Sequence, residues 1–384
     1  MKILGICSLA LLLSASGCGS NATAPTPTLD SQTVQLLQNT LDASRTTIGV
    51  PGATVTVIRP DGAKWVGVSG LSSIENNTPM APGLKFRIGS LTKTMTAVVI
   101  LQLVQDSNYN LSLDDSIESI LPGAVPNGTN ISVRQLLNHT SGLYNYTDDV
   151  PTFQTTQLTS LLLHVWAPSD LVAISNAHAV YFAPGNGWEY SNTNYILLGQ
   201  IIETKTGNSF AQEVTARILI PLGLNNTSIA TTPDMPAGST QGYYWWTGTR
   251  YNSTRVAPSF AYSAGNAISN SDDLIVWLDA VINGTLLDNQ RKIDMFTFVN
   301  SDGVVTQGND ALYGLGLYKF SPGWIGHSGD FMYGGQASLY WYNGWMFVVQ
   351  TNASPPNPIP IAGMHNGADY IWRTLVTALG LPLL

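Results

Sequence analysis

The stretch "FRIGSLTKTM", residues 86–95, places Ser90 three positions before Lys93 and runs directly into "TAVVILQLVQ", residues 96–105. The second half is apolar almost all round, which predicts a buried helix. On a helix, residues i and i+3 lie on one face about a turn apart. Ser90 is expected at the helix N-terminus, where free backbone N–H groups and the dipole favour developing negative charge. Lys93 is expected inside, in a chain with only 10% charged residues. Burial drives an amine toward its neutral form, and a neutral amine beside a hydroxyl can activate it as a nucleophile. The simpler reading has Lys93 snorkelling from a helix end, and Ser-x-x-Lys alone is a weak signal.

Composition narrows what such a nucleophile could serve. The 384 residues suit one large domain or two interleaved lobes, at roughly 100–200 residues per domain. Net charge is −8 with no Lys/Arg cluster, so nucleic acid is not an expected partner. The only cysteines are Cys7 and Cys18. Lys2, an apolar run over 3–15 and "ASGC" at 15–18 read as a signal peptide over 1–17. The small residues before Cys18 resemble the lipobox of bacterial lipoproteins, in which the cysteine is lipidated. The bland reading is an ordinary cleavage site. Residues 18–30, including "GSNATAPTPT", read as a flexible tether. The mature chain then has no internal disulfide, and cysteine catalysis and cysteine metal sites are excluded. The sequons at Asn76, Asn127, Asn145, Asn226, Asn252 and Asn283 are read as loop composition.

Along the chain, residues 31–45 read as an amphipathic helix. "GATVTVIRPDGAKWVGVSG" (52–70) reads as a hairpin turning at Pro60-Asp61-Gly62. From about 105 to 250 the pattern is mainly helical with long loops, including a helix closed by Gly207. "SDDLIVWLDAVING" (271–284) reads as a helix with Ser271 as N-cap. Aromatic-rich strands follow, with a hairpin turn at Asn343-Gly344, and "ADYIWRTLVTALG" (368–380) reads as a final helix. Strands at both ends and helices between them give an α+β class. The catalytic domain is 31–384, with an α/β lobe over about 31–100 and 255–384 and a helical lobe inserted over about 101–254.

Two further motifs join the first. "YSN" at 190–192 offers the Tyr190 phenol for proton transfer and the Asn192 amide for binding substrate. "HSG" at 327–329 lies in a glycine-bounded, strand-like stretch. Ser90-x-x-Lys93, Tyr190-x-Asn192 and His327-Ser328-Gly329, in that order, resemble the penicillin-recognising serine hydrolases: D-alanyl-D-alanine carboxypeptidases, class C β-lactamases and related esterases. "LSLDDSIESILPG", "ISVRQLLNHTSGLYNYTDD", "YSNTNYILLGQIIETKTG", "SAGNAISNSDDL" and "YGLGL" resemble segments of that family too, across roughly residues 35–375. His327 at the head of the third motif resembles the single-chain carboxypeptidase branch.

The resemblance implies a β-lactamase/transpeptidase-like fold, an antiparallel sheet flanked by helices with an inserted helical lobe. It implies acyl transfer through a serine ester on Ser90, with Lys93 and Tyr190 sharing the proton work in an undecided division. Asn192 would bind the substrate amide, and His327 would serve the Tyr190 network or a substrate carboxylate. The backbone N–H groups of Ser90 and Asp330 would form the oxyanion hole. Ser328, Gly329, Asp330, Phe260 and Tyr318 are the expected substrate-binding residues. No metal and no cofactor are implied. The expected partner is a small molecule or peptide: a D-Ala-D-Ala peptide, an ester or a β-lactam. The expected molecule is an exported monomer, periplasmic or on the cell surface, touching membrane only through a lipid on Cys18.

Two positions depart from the carboxypeptidase pattern. Where that branch has an arginine after "YGLGL" to hold the substrate carboxylate, this chain has Tyr318, followed by Lys319. The residue after the third motif is Asp330, which repels an anion if its side chain faces the site. Both changes favour neutral esters or amides over a free carboxylate. The aromatic run "GYYWWTGTRY" (242–251) and Phe260 fit either an acyl pocket or core packing. Lys205-Thr206-Gly207 spells the β-lactamase form of the third motif but reads as a helix end. "GHSGD" (326–330) falls short of a nucleophile elbow and lacks the following acid-then-histidine order. His139 reads as a satisfied structural residue in a turn, and His164 and His178 show no ligand-like spacing. Three readings stay open: a carboxypeptidase-like hydrolase, an esterase or weak β-lactamase of the same fold, and a catalytically silent binder of cell-wall fragments or penicillin.

Overall fold

A computed structural model describes residues 27–149, 162–301, 311–361 and 364–383. Residues 1–17, read from sequence as a signal peptide, and Cys18 lie outside the described residues.

The N-terminal helix Ser31–Ile48 starts where the Asp30 carboxylate accepts the Thr33 N–H at 2.9 Å, and stops at Gly49 with φ +74°. Its buried face is Leu37, Leu41, Ser44 and Ile48. The chain then enters a sheet that has nine strands among the described residues. Its strands, numbered here in chain order, are β1 Gly52–Ile58, β2 Lys64–Ser73, β3 Thr78–Pro79, β4 Val299–Asn300, β5 Leu312–Tyr313, β6 Tyr318–Phe320, β7 Trp324–Asp330, β8 Gln336–Tyr342 and β9 Trp345–Thr351. Their order across the sheet is β3-β2-β1-β9-β8-β7-β6-β5-β4, so the first strand pairs with the last, Ala53 opposite Thr351. The β8–β9 turn is Asn343-Gly344, both with positive φ (46° and 85°), as its sequence predicts.

Alternation along β8 and β9 sorts side chains to two faces. Tyr340, Phe347 and Val349 pack with the N-terminal helix and with the C-terminal helix Gly367–Ala378. Ala337, Leu339 and Val348 face the opposite core, built from the helices Thr92–Gln105, Asn192–Thr206 and Ser271–Ile282. The helix Thr92–Gln105 is buried on nearly every side, from Thr92 to Leu101 and again at Leu103.

Three sequence readings shift in detail. The cap of the helix at 271 is Asn270, whose side chain accepts the Asp273 N–H at 3.0 Å; Ser271 is already its first residue. Ser90 sits in a short 3-10 turn, Gly89–Leu91, just ahead of its helix. The run 242–251 lies within a span expected to be mainly helical, yet it forms a hairpin of Tyr243–Trp246 against Thr249–Asn252. Its alternating aromatics suit a pleated ribbon better than a helix.

Candidate active site

Two glycines bring the nucleophile turn against β7. A Cβ on Gly329 would stand 1.9 Å from the Ile88 carbonyl oxygen. Gly89 has φ +53°, and a Cβ there would stand 2.6–2.8 Å from the backbone of Asp330. Only glycine permits this contact, and it sets the backbones of Ser90 and Asp330 side by side.

Lys93 is fully buried. Its ammonium nitrogen lies 3.0 Å from Ser90 Oγ, 2.7 Å from Asn192 Oδ1 and 2.7 Å from the Ala264 carbonyl oxygen. Burial holds its pKa well below the ordinary lysine range. The aromatic faces of Tyr190 and Tyr195 lie 5.0 and 5.4 Å from the same nitrogen. Tyr190 is pushed upward by burial, with a hydrogen bond to the Ser90 side chain acting in the opposite sense. It therefore stays a neutral phenol at physiological pH.

Asn192 opens the helix Asn192–Thr206. Its N–H donates to Asn145 Oδ1 at 2.9 Å and its Nδ2 to Thr147 Oγ1 at 3.1 Å, which aims Oδ1 at Lys93. His327 is buried on β7. Its Nδ1 contacts the Ser328 carbonyl oxygen and its Nε2 lies 3.0 Å from the Tyr313 hydroxyl. A carbonyl only accepts, so the proton sits on Nδ1 and Tyr313 donates to Nε2. Burial, with Lys93 nearby, lowers the His327 pKa to about 3, so the ring is neutral.

Ser90 opens onto two cavities. One, about 390 Å³, is lined by Asn145, Thr147, Tyr190, Phe260, Phe331 and Met332 among others. The other, about 280 Å³, is lined by Tyr318, His327, Ser328, Asp330, His365 and Asp369 among others. Asp330 borders both and is exposed. Its Oδ2 accepts from Gln336 Nε2 at 2.6 Å. The enclosing protein, with Asp369 nearby, pushes its pKa up to about 6, while the Gln336 hydrogen bond and His365 pull it down. Because the side chain keeps contact with the water of the cleft, Asp330 is still largely ionised at neutral pH. Among the described residues, no lysine or arginine lines either cavity. Lys319 leans on the Phe298 ring at 5.6 Å.

All ten residues singled out from sequence thus gather around one cleft. Phe260 lines it, packing on Phe331 with ring centroids 5.1 Å apart, while Tyr244 of the aromatic hairpin belongs to the core. Gly207 caps its helix with φ +74°, so Lys205-Thr206-Gly207 is a helix end. His139 is buried with its ring 4.4 Å from that of Tyr190, and its Nδ1 accepts the Ser191 N–H at 3.2 Å. It is not fully satisfied, since Nε2 has no partner. Sequence reasoning missed Asn145, Thr147 and Tyr313, which lie in quoted segments but carry no spacing signal. It also missed the Ala264 carbonyl, which no side-chain motif could reveal.

This cleft can bind an acyl group, offer a hydroxyl activated by a neutral amine and supply a phenol proton. The beta-lactamase family profile matches residues 37–369. The chain belongs to the beta-lactamase family. Its members here are serine hydrolases of the β-lactamase and penicillin-binding-protein fold. Among solved structures, it is similar to a D-stereospecific amidohydrolase from Streptomyces sp., with 32% identity, 90% of this chain and 97% of that one covered, and a TM-score of 0.77. It is also similar to the D-amino acid amidase of Ochrobactrum anthropi SV3, with 27% identity, 91% and 99% coverage and a TM-score of 0.78. A curated relative, penicillin-binding protein 4* of Bacillus subtilis (strain 168), is 29% identical over 231 residues, 60% of this chain and 47% of that protein. The chain therefore spans about half the length of that relative.

Proposed function

We propose that this family member is a serine amidohydrolase and esterase for D-configured acyl donors that carry a free α-ammonium and no free carboxylate. The observation that carries the reading is the pairing of a buried Lys93, its pKa depressed by burial, 3.0 Å from Ser90 Oγ with an acidic cleft wall at Asp330. Ser90 Oγ attacks the carbonyl carbon and its proton passes to Lys93. The oxyanion meets the backbone N–H groups of Ser90 and Asp330. Tyr190 delivers a proton to the leaving amine or alkoxide as the C–N or C–O bond breaks, and the proton held by Lys93 restores the phenol, so both side chains are back in their starting states. Water then attacks the Ser90 ester by the same route, releasing the acid and restoring the hydroxyl. Asp330 attracts the substrate ammonium, and the similarity to D-specific amidases supports the stereochemistry.

A second reading, D-alanyl-D-alanine carboxypeptidase, is favoured by relatives named as penicillin-binding proteins. It asks the cleft to hold a terminal carboxylate without a lysine or arginine in its lining and against Asp330. One comparison separates the two. Hydrolysis of D- and L-phenylalanine amide, a D-Ala-D-Ala peptide and an N-acetylated D-amide is measured alongside the intact mass after benzylpenicillin, with Ser90→Ala as control. We expect turnover of the free D-amide, little of the L-amide or N-acetyl compound, and no D-Ala-D-Ala cleavage. Preferred cleavage of D-Ala-D-Ala, with a lasting penicillin adduct on Ser90, would replace this reading by the second. No turnover and no adduct would leave the silent binder.

A further inference from the structure

The strand that leads into the nucleophile turn, Phe86–Arg87, carries a charge that the reaction does not use. Arg87 is 5% exposed. Its Nη2 donates to the Pro233 and Val256 carbonyl oxygens at 3.0 and 3.1 Å, and its guanidinium sits 4.7 Å from the Phe331 ring centroid. Nε and Nη1 have no partner. Among the described residues no carboxylate pairs with it. Burial lowers its pKa only to about 10, so it is protonated at neutral pH. A buried cation without a counter-charge is costly.

A small cavity of about 20 Å³ lies against this guanidinium, lined by Arg87, Ser253, Tyr333, Gly334 and Gly335 among others. Ser253 is 2% exposed and Tyr333 3%, and the hydroxyls of both also lack partners. The space holds a guest about the size of one water or a monatomic ion. The partnerless atoms of its lining residues Arg87, Ser253 and Tyr333 are donors or hydroxyls free to donate. A water could accept only part of this set and would leave the charge unbalanced. A monatomic anion accepts from all of it and neutralises the arginine.

We propose that Arg87, Ser253 and Tyr333 bind a monovalent halide, chloride in biological media. The site lies behind the segment that walls the active cleft. The Phe331 N–H donates to the Gly335 carbonyl at 2.9 Å, and a Cβ on Gly335 would stand 2.8 Å from the Arg87 carbonyl oxygen. A bound halide thus braces the loop that follows Asp330.

The test uses the unmodified protein, crystallised with sodium bromide in place of chloride and measured at the bromine absorption edge. The expected result is an anomalous peak in the cavity, in contact with the Arg87 guanidinium. In solution, the unfolding midpoint should rise with chloride at constant ionic strength set by isethionate, which is too large for the cavity. In Ser253→Ala the chloride concentration for half the effect should rise about tenfold, as expected for one lost hydrogen bond to a charged group. Ordered water without an anomalous peak, or equal midpoints in chloride and isethionate, overturns the proposal.

Discussion

The two walls of the cleft around Ser90 are built differently. On the activating side, Lys93 has three hydrogen-bonding neighbours within 3.0 Å, and Asn192 is fixed by Asn145 and Thr147. Little there can move without breaking a contact. On the recognition side, Asp330 has one protein hydrogen bond and faces open volume. The first wall is a preorganised device for one chemistry. On the proposed reading, the second is a surface whose charge selects what reaches that chemistry. Changes on the activating wall should therefore lower the rate for every substrate, whereas changes on the recognition wall should reorder substrates.

The largest expected effect is on the activating wall. Lys93→Ala should lower kcat on the order of 10³- to 10⁵-fold for amide and ester alike, since base and nucleophile act as a unit. The active form of Lys93 is the neutral amine. In the native protein the rate should fall as pH drops through its depressed pKa, with no dependence near the ordinary lysine value. Steady-state kinetics across pH measure both. A native rate that keeps rising to above pH 10 would mean that Lys93 is charged in the working enzyme.

The difference between the walls also explains what the sequence disclosed. Ser90 and Lys93 are helix neighbours, Tyr190 and Asn192 are two apart, and His327 to Asp330 are contiguous, so each cluster could be recognised locally. Gly329 stood out as part of a motif, but its reason, the 1.9 Å approach to Ile88, is a contact between distant segments. The sequence left the facing of Asp330 open: its carboxylate is held by Gln336, its cross-strand neighbour, which no local pattern names. The supports were not legible. Ala264 is 171 positions from Lys93 and contributes only a carbonyl, and Asn145 is 47 positions from Asn192. No local pattern encodes such pairings. The Asn270/Ser271 difference is of another kind, because both residues cap helices well and only the backbone decides between them.

The recognition wall offers an intermediate effect that separates it from the first. Asp330→Asn should lower kcat/KM for free D-amino acid amides about 10- to 100-fold, the scale of a hydrogen bond to a charged group, while N-acetylated amides change little. The pH profile sharpens this. Native Asp330 must be ionised to attract an ammonium, so kcat/KM for cationic substrates should fall as pH drops through about 6. It should fall again as the substrate amine loses its proton, near the usual α-amino range of about 8. The variant should lose the limb near 6 and keep the upper one. Equal losses for charged and acetylated substrates would place Asp330 on the activating wall instead.

The smallest effect concerns the seam between the walls. Tyr313 is a positioning residue. Its hydroxyl donates to His327 Nε2, which leaves the Nδ1 proton for the Ser328 carbonyl and steadies β7 just before Asp330. Tyr313→Phe removes about one net hydrogen bond, worth roughly 1 kcal/mol. The substrate does not touch that hydroxyl, so KM should hold while kcat falls about 3- to 10-fold. A purely structural role would lower the unfolding midpoint and leave kcat of the folded fraction intact. Measuring kcat, KM and the midpoint on one preparation distinguishes the two. A fall in kcat of the folded enzyme, beside a midpoint lowered only by the few degrees that about 1 kcal/mol implies, means that the geometry of β7 is tuned from the recognition side of the cleft.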